Sequence, residues 1–274
     1  MARAEELPNK GITIGIAMHK PAPIPHGRTY LPIHVGAAIH PDVLTEIQQD
    51  NTGDNISELN PYYCELTALY WLWKNNDSDY KGLVHYRRLF ATRSFFKGRG
   101  RHGDRLDRVI DDAELAQMLD KHSVIMPTKR YYVIETIHSH YVHTMYAEQV
   151  EVAETVLEHM APQYMPEWKR LMKRRSSRFF NMMIMDREHF DAYCAWLFPI
   201  LTEIARRLPP DQYEAFHARY PGRISEMLLN VWINHNNIKF GELPTVYTES
   251  INWWKKGTSF LKAKFLKKRY TGSF

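Results

Sequence analysis

The apolar positions fall into short runs separated by polar, turn-forming segments, and the spacing within each run predicts an element. Gly11–Met18 (GITIGIAM) reads as a buried first strand, followed by His19-Lys20 and the proline-rich PAPIP, which cannot continue a central strand. Ile33–Ile39 is a second short extended segment, and Asn51-Thr52-Gly53-Asp54 is a turn signal. Asn60 is a good N-cap, and Pro61 fits the first helical position. Leu66, Leu69, Tyr70 and Trp73 then recur at helical spacing, with Cys64, Ala68, Trp71 and Leu72 apolar on the other sides. This helix is expected to be buried nearly all round until Asn75-Asn76-Asp77 ends it. Leu83-Val84 start a strand running into His85-Tyr86-Arg87-Arg88. Alternation there sends His85 and Arg87 to one face, Tyr86 and Arg88 to the other.

The second half repeats the helix-then-strand rhythm. Arg93–Arg108 is basic and glycine-containing, so it reads as a loop, either solvated or a flap that orders over an anionic ligand. Asp111–His122 has acids in its first turn and Leu115, Met118 and Leu119 on one face, which predicts a helix before a strand at Ser123–Met126. Ala147–Met160 is another helix, broken by Pro162–Pro166. Lys169–Arg178 is strongly basic, and Phe179–Met185 (FFNMMIM) reads as a central strand with a lone amide, Asn181, that must find partners. His189–Arg206 is a long core helix. A last helix is expected to begin near Ser225, with Glu226 in its first turn, before a final strand at Lys239–Val246. The pattern predicts an α/β layered fold in a single domain.

Composition narrows the class. The 274 residues are 44% hydrophobic and 24% charged, enough for a proper core in a soluble chain. Sixteen Tyr and 7 Trp supply flat rings that also line sugar and nucleotide sites. The net charge of +5 suits an anionic ligand, a membrane surface or nucleic acid. Aromatic RNA-binding signatures are missing and the basic residues lie in separate segments, which disfavours nucleic acid. Cys64 and Cys194 read as small core residues in a reducing compartment. MARAEELPNK has no secretory character, and no run approaches the ~18 apolar residues of a membrane span. Residues 1–10 read as a loose tail, 11–250 as the domain, and 251–274 as a basic aromatic tail of interfacial composition.

The chemistry concentrates at His85-Tyr86-Arg87-Arg88. Arginines beside a buried strand need an anionic partner. They either pair internally with Asp54, Glu58 or Glu65, or face a phosphate that the guanidinium fork grips bidentately. Lys20, after the first strand, either reaches a phosphate or, as is commoner for such a lysine, is simply solvated. His138, His140 and His143 invite a zinc reading, but their spacing fits no standard site, and sugar contacts are favoured.

The motifs TGDNISELNPYYCELTALYWLWKN, GLVHYRRLF and FNMMIM, followed by the Glu226 helix, resemble the DUF4422 family over roughly residues 12–246. That resemblance implies a glycosyltransferase of capsule, exopolysaccharide or O-antigen synthesis, with galactofuranosyltransferases among its relatives. It implies a GT-A-like mixed sheet flanked by helices that binds a nucleotide sugar, here a UDP-sugar, at the ends of its first strands. GT-A enzymes usually carry an Asp-x-Asp metal motif where this chain has His85-Tyr86-Arg87-Arg88. Metal-independent, inverting transfer is therefore expected, with no metal ligands and no cofactor beyond the donor. Arg87 and Arg88 would stabilise the leaving diphosphate and Glu226 would deprotonate the acceptor. Lys20, Asp54, Asn55, His85 and Asn181 would complete the donor site, with His138 and His143 on the acceptor. The expected location is cytoplasmic, peripheral on the inner membrane face through 253–274. A non-catalytic glycan-binding or assembly partner is the alternative reading.

Overall fold

The computed structural model describes residues 11–93, 105–132 and 134–249. The expected tails and most of the basic 93–108 loop lie outside them. In chain order the strands and helices are β1 (Ile12–Met18), β2 (Tyr30–His34), β3 (Gln48–Gln49), α1 (Asn60–Tyr63), α2 (Leu66–Asn75), β4 (Tyr80–His85) and β5 (Arg88–Phe90). Then come α3 (Asp112–Leu119), β6 (Val124–Pro127), β7 (Arg130–Tyr131), α4 (Ile137–Thr144), α5 (Ala147–Met160) and α6 (Met165–Lys173). The chain closes with β8 (Ser176–Ser177), β9 (Met183–Asp186), α7 (Arg187–Arg207), α8 (Ala215–Ala218), α9 (Tyr220–His235), β10 (Gly241–Leu243) and β11 (Thr245–Tyr247).

These strands build a mixed nine-stranded sheet in the order β10-β6-β9-β4-β1-β2-β3, from which β5 and β11 branch as an antiparallel ribbon at the end of β4. β1 runs parallel to both β2 and β4, so Met18 and His85 reach the same edge. β9 runs antiparallel to β4 and β6. Strand alternation splits the core into two layers. Ala17, Leu83, Val124, Met126, Met183 and Met185 face α2, α5, α6, α7 and α9. Ile14, Ile16, Met18, Val84, Ile125 and Ile184 face α3 and the β5–β11 ribbon. The centre of the sheet is tight: a Cβ on Gly82 would sit 2.8 Å from the carbonyl oxygen of Met183.

Several expectations change. The helix after Asn60 is two helices, broken at Cys64, whose φ of 54° lies in the left-handed region. Asn60 is inside the first turn and its side chain donates to the Cys64 carbonyl instead of capping. The strand predicted through Arg88 stops at His85, because Tyr86-Arg87 is a turn, so alternation does not assign the faces of Arg87 and Arg88. Tyr30–His34, rather than Ile33–Ile39, is the second strand, since Gly36 turns at φ 78°. The final strand is split at Pro244, which has no N–H to donate. Residues 137–144 are helical, opened by a Thr136–Ser139 capping box. Helix α9 starts at Tyr220, with Pro221 in its first turn. Glu226 is therefore in the second turn, and the dipole argument made for it does not apply.

Candidate functional site

The parallel strands β1 and β4 end side by side, and the turns that follow them collect polar groups. His19 and Lys20 follow β1; His85 ends β4, Tyr86 and Arg87 form the turn after it, and Arg88 begins β5. The His19 and His85 ring centroids are 6.2 Å apart, and Tyr86 lies against both rings. The Lys20 ammonium and the Arg87 guanidinium sit 5.4 and 5.6 Å from the centre of the Tyr86 ring. Tyr86 is itself buried and held from above, where the Thr248 hydroxyl donates to its carbonyl at 2.8 Å. Lys20 also pairs with Glu249 at 3.0 Å across the exposed rim.

The opposite wall comes from the N-terminal end of α2, the turn before β9 and the start of α9. Arg88 stacks 4.3 Å from the centroid of Phe180, whose backbone N–H lies on the Glu226 side and favours the ionised carboxylate there. Phe180 and Asn181 both have positive φ, 85° and 50°, so the strand predicted from Phe179 does not begin until Met183, and the Phe180 ring lies against Arg88. Arg219, at the head of α9, donates from Nε to the Cys64 sulfur at 3.0 Å. Arg223 covers Phe216 with its guanidinium 4.4 Å from the ring centre. Sequence reasoning missed Arg219 and Arg223; their signal was a pair of arginines flanking Pro221-Gly222.

Charge at this edge is unbalanced. Among the described residues, Arg87, Arg88, Arg219 and Arg223 take part in no salt bridge with a carboxylate. The Nε atoms of Arg87 and Arg223 are buried without a hydrogen-bond partner. Internal pairing of Arg87 and Arg88 with Asp54 or Glu58 is thus not what the fold provides. Burial lowers Arg88, opposed by the nearby Glu226 carboxylate. The Cys64 sulfur and the Glu65 carboxylate hold Arg219 above its ordinary value. Burial and the surrounding arginines push His85 well below its usual range, and burial followed by Arg87 lowers His19, so both imidazoles are neutral at pH 7. Burial, then the charge of Glu65, lifts Glu226 to about 7, and the Phe180 N–H, Arg88 and Arg223 only partly counter it.

Asn181 is an internal clamp rather than a ligand contact. It is fully buried; its amide donates to Glu65 and to the Gly222 carbonyl, both at 2.9 Å, and its oxygen accepts from Ser225 at 2.7 Å. It ties β9, α2 and α9 together and fixes Glu65 near Glu226. Asp54 and Asn55 also leave the cluster. Asp54 accepts from Tyr70 and its N–H donates to Asn75, at the C-terminal end of α2, while Asn55 bonds back to Asn51 and Gly53. The length of α2, about 15 Å, separates them from Glu65. His143 and His140 both hydrogen-bond buried Glu135, at 2.8 and 2.9 Å, and His140 stacks on Tyr132, which contacts Phe179. His138 is exposed on the same helix. The histidines thus flank the Phe179–Phe180 turn without joining the arginines. Among the described residues, no group of His, Cys, Asp or Glu converges as a metal-ligand set.

The apo structure of WbbM, a bifunctional glycosyltransferase, matches with a TM-score of 0.77 at 26% identity over 88% of this chain. The likeness covers 46% of WbbM, so the chain spans about half the length of that protein. The mixed sheet and its flanking helices are GT-A-like. No curated protein matches the chain. The family model for a domain of unknown function, DUF4422, matches residues 13–237, and the chain belongs to that family.

Proposed function

We propose that this protein is a glycosyltransferase that moves a sugar from a nucleotide-sugar donor to a glycan acceptor. The observation that carries the reading is a cluster of arginines, Arg87 and Arg88 at the end of β4 and Arg219 at the head of α9, that form no ion pair among the described residues, near a carboxyl whose pKa is about 7. The likeness to WbbM supports the reaction class. The donor diphosphate lies against Arg87, Arg88 and Arg219, with Lys20 at the rim. An acceptor hydroxyl attacks the anomeric carbon; its proton passes to Glu226 as the new C–O bond forms. The bond to the diphosphate breaks, and the electron pair leaves with the phosphate oxygen, whose charge the guanidinium groups absorb. A base near 7 is about half ionised at neutral pH, which suits proton abstraction. One displacement inverts the anomeric centre.

The donor class we favour is a uridine diphosphate sugar, galactofuranose among the sugars, used without a divalent cation. The acceptor is a surface-polysaccharide chain, lipid-linked or growing, and His143 and His138 border its path. No helix among the described residues is long and apolar enough to cross a membrane. Residues 253–274 are proposed to dock on an anionic inner membrane face, and deleting them is expected to release the protein from anionic vesicles. A nucleotide-sugar panel, run with and without chelator, tests the reading. Binding and slow hydrolysis of one donor class, unaffected by chelator, supports it. Glycan affinity with no nucleotide affinity would instead favour a non-catalytic assembly partner.

A further inference from the structure

We propose that the β7–β8 ribbon is a docking surface for an anionic phospholipid bilayer. The ribbon is a separate two-stranded sheet that pairs Arg130 with Ser177 and Tyr131 with Ser176. The Tyr132 N–H donates to the Arg175 carbonyl at 2.7 Å and the Ile137 N–H to the Arg174 carbonyl at 2.8 Å. Residues 130–132 and the start of α4 therefore run beside the end of α6. Tyr131 is 72% exposed and Ile134 49% exposed, a large aromatic and a large aliphatic side chain three positions apart in sequence, both on open surface. Around them Lys129, Lys173 and Arg175 are exposed and Arg174 is half-buried. The sequence carries no acid from residue 121 to 134 or from 168 to 185. Among the described residues none of these four cations forms an ion pair.

Exposed apolar side chains ringed by lysine and arginine fit a headgroup layer, where the rings and alkyl groups enter the interface and the cations meet lipid phosphates. An acidic glycan or a nucleic acid would use the cations but give Ile134 nothing to bury against. The ribbon adjoins the site: Arg130 stacks on Phe180 at 4.9 Å, on the ring that Arg88 also covers. A bilayer seated on the ribbon would bring a lipid-linked acceptor's headgroup to the arginine cluster. That purpose rests on the glycosyltransferase reading, but lipid binding itself does not.

The test sediments the full chain with vesicles of phosphatidylglycerol and phosphatidylcholine, or of phosphatidylcholine alone. The wild type is expected to bind the anionic vesicles selectively. Replacing Lys129, Lys173 and Arg175 together by Gln should weaken binding on the order of 100-fold. Tyr131→Ser with Ile134→Ser should weaken it roughly 10-fold or more. Because every substituted side chain is exposed, Tm should not move, and circular dichroism checks this. Anionic-vesicle binding unchanged in either variant overturns the proposal, as does no binding by the wild type. Heparin binding that needs the cations but not Tyr131 and Ile134, with no vesicle loss in the serine variant, assigns the patch to a soluble polyanion and also overturns it. No sugar transfer is read, so this result and the nucleotide-sugar panel fail independently.

Discussion

Replacing Glu226 by Gln should stabilise the folded protein at alkaline pH while abolishing transfer. Folding raises this carboxyl from its ordinary value of 4.5 to about 7. The folded state therefore binds the proton more tightly than the unfolded chain does. Below 4.5 the group is protonated in both states and adds no pH-dependent term. As pH rises from 4.5 to about 7 the unfolded chain ionises first, and stability falls. Above about 7 the loss is complete, and at about 1.4 kcal/mol per pH unit it reaches roughly 3 kcal/mol. This net value already includes the attraction of Arg88 and Arg223, which is smaller than the cost of burial and of the neighbouring Glu65 charge. A glutamine keeps the shape and can accept the Phe180 N–H without carrying charge. Urea unfolding of both proteins at about pH 4.5 and about pH 8 reads the difference, since the other titrating groups cancel in the comparison. The expected gain for Glu226→Gln is near zero at the lower pH and on the order of 2–3 kcal/mol at the higher. A gain that does not change with pH, or a loss at pH 8, would refute the burial argument and with it the base assigned to this position.

Other outcomes follow from the same geometry. Arg87→Ala should cut transfer on the order of 100-fold with Tm unchanged within error, and Arg87→Lys should not restore it, because one ammonium cannot replace the fork; steady-state kinetics and a melt check both. Glu226 is lifted first by burial and second by the charge of Glu65, so Glu65→Gln should move the pH profile of kcat/KM, expected to rise through about 7 in the wild type, to lower pH. Asn181→Ala strips the hydrogen bonds to Glu65, Gly222 and Ser225 and puts a side chain at φ 50° without an amide to offset it, so unfolding should cost ~2–4 kcal/mol less. Gly82→Ala drives a Cβ to within 2.8 Å of the Met183 carbonyl and should lower stability by ~1–3 kcal/mol in urea titrations.

The layered fold was legible because it is written in local periodicity. Helix α5 was read to its end residues, and β1 and α7 to within a residue or two, since their apolar spacing is regular. What escaped the sequence depends on contacts between distant segments. The break at Cys64 is a left-handed residue in an otherwise unbroken apolar helical pattern, and it is held in place by Arg219, 155 positions away. Asn181 was rightly read as an amide needing partners, but only the fold shows that Glu65, Gly222 and Ser225 satisfy it. The last helix was expected to begin near Ser225 but starts at Tyr220, which moved Glu226 from the helix dipole into a desolvated position. Asp54 and Asn55 were placed in the donor site by the family resemblance, whereas the fold ties Asp54 to Tyr70 and Asn75, toward the far end of α2.

The central claim is that guanidinium groups, without a bound cation, receive the donor's diphosphate. Calorimetric titration of uridine diphosphate into the protein, in EDTA and then in excess magnesium, tests it most directly. The account predicts the same affinity in both buffers and a loss of at least ~10-fold in Arg87→Ala, in line with a charge-assisted bidentate contact. Binding that appears only with magnesium, or that is as tight in Arg87→Ala as in the wild type, would contradict it.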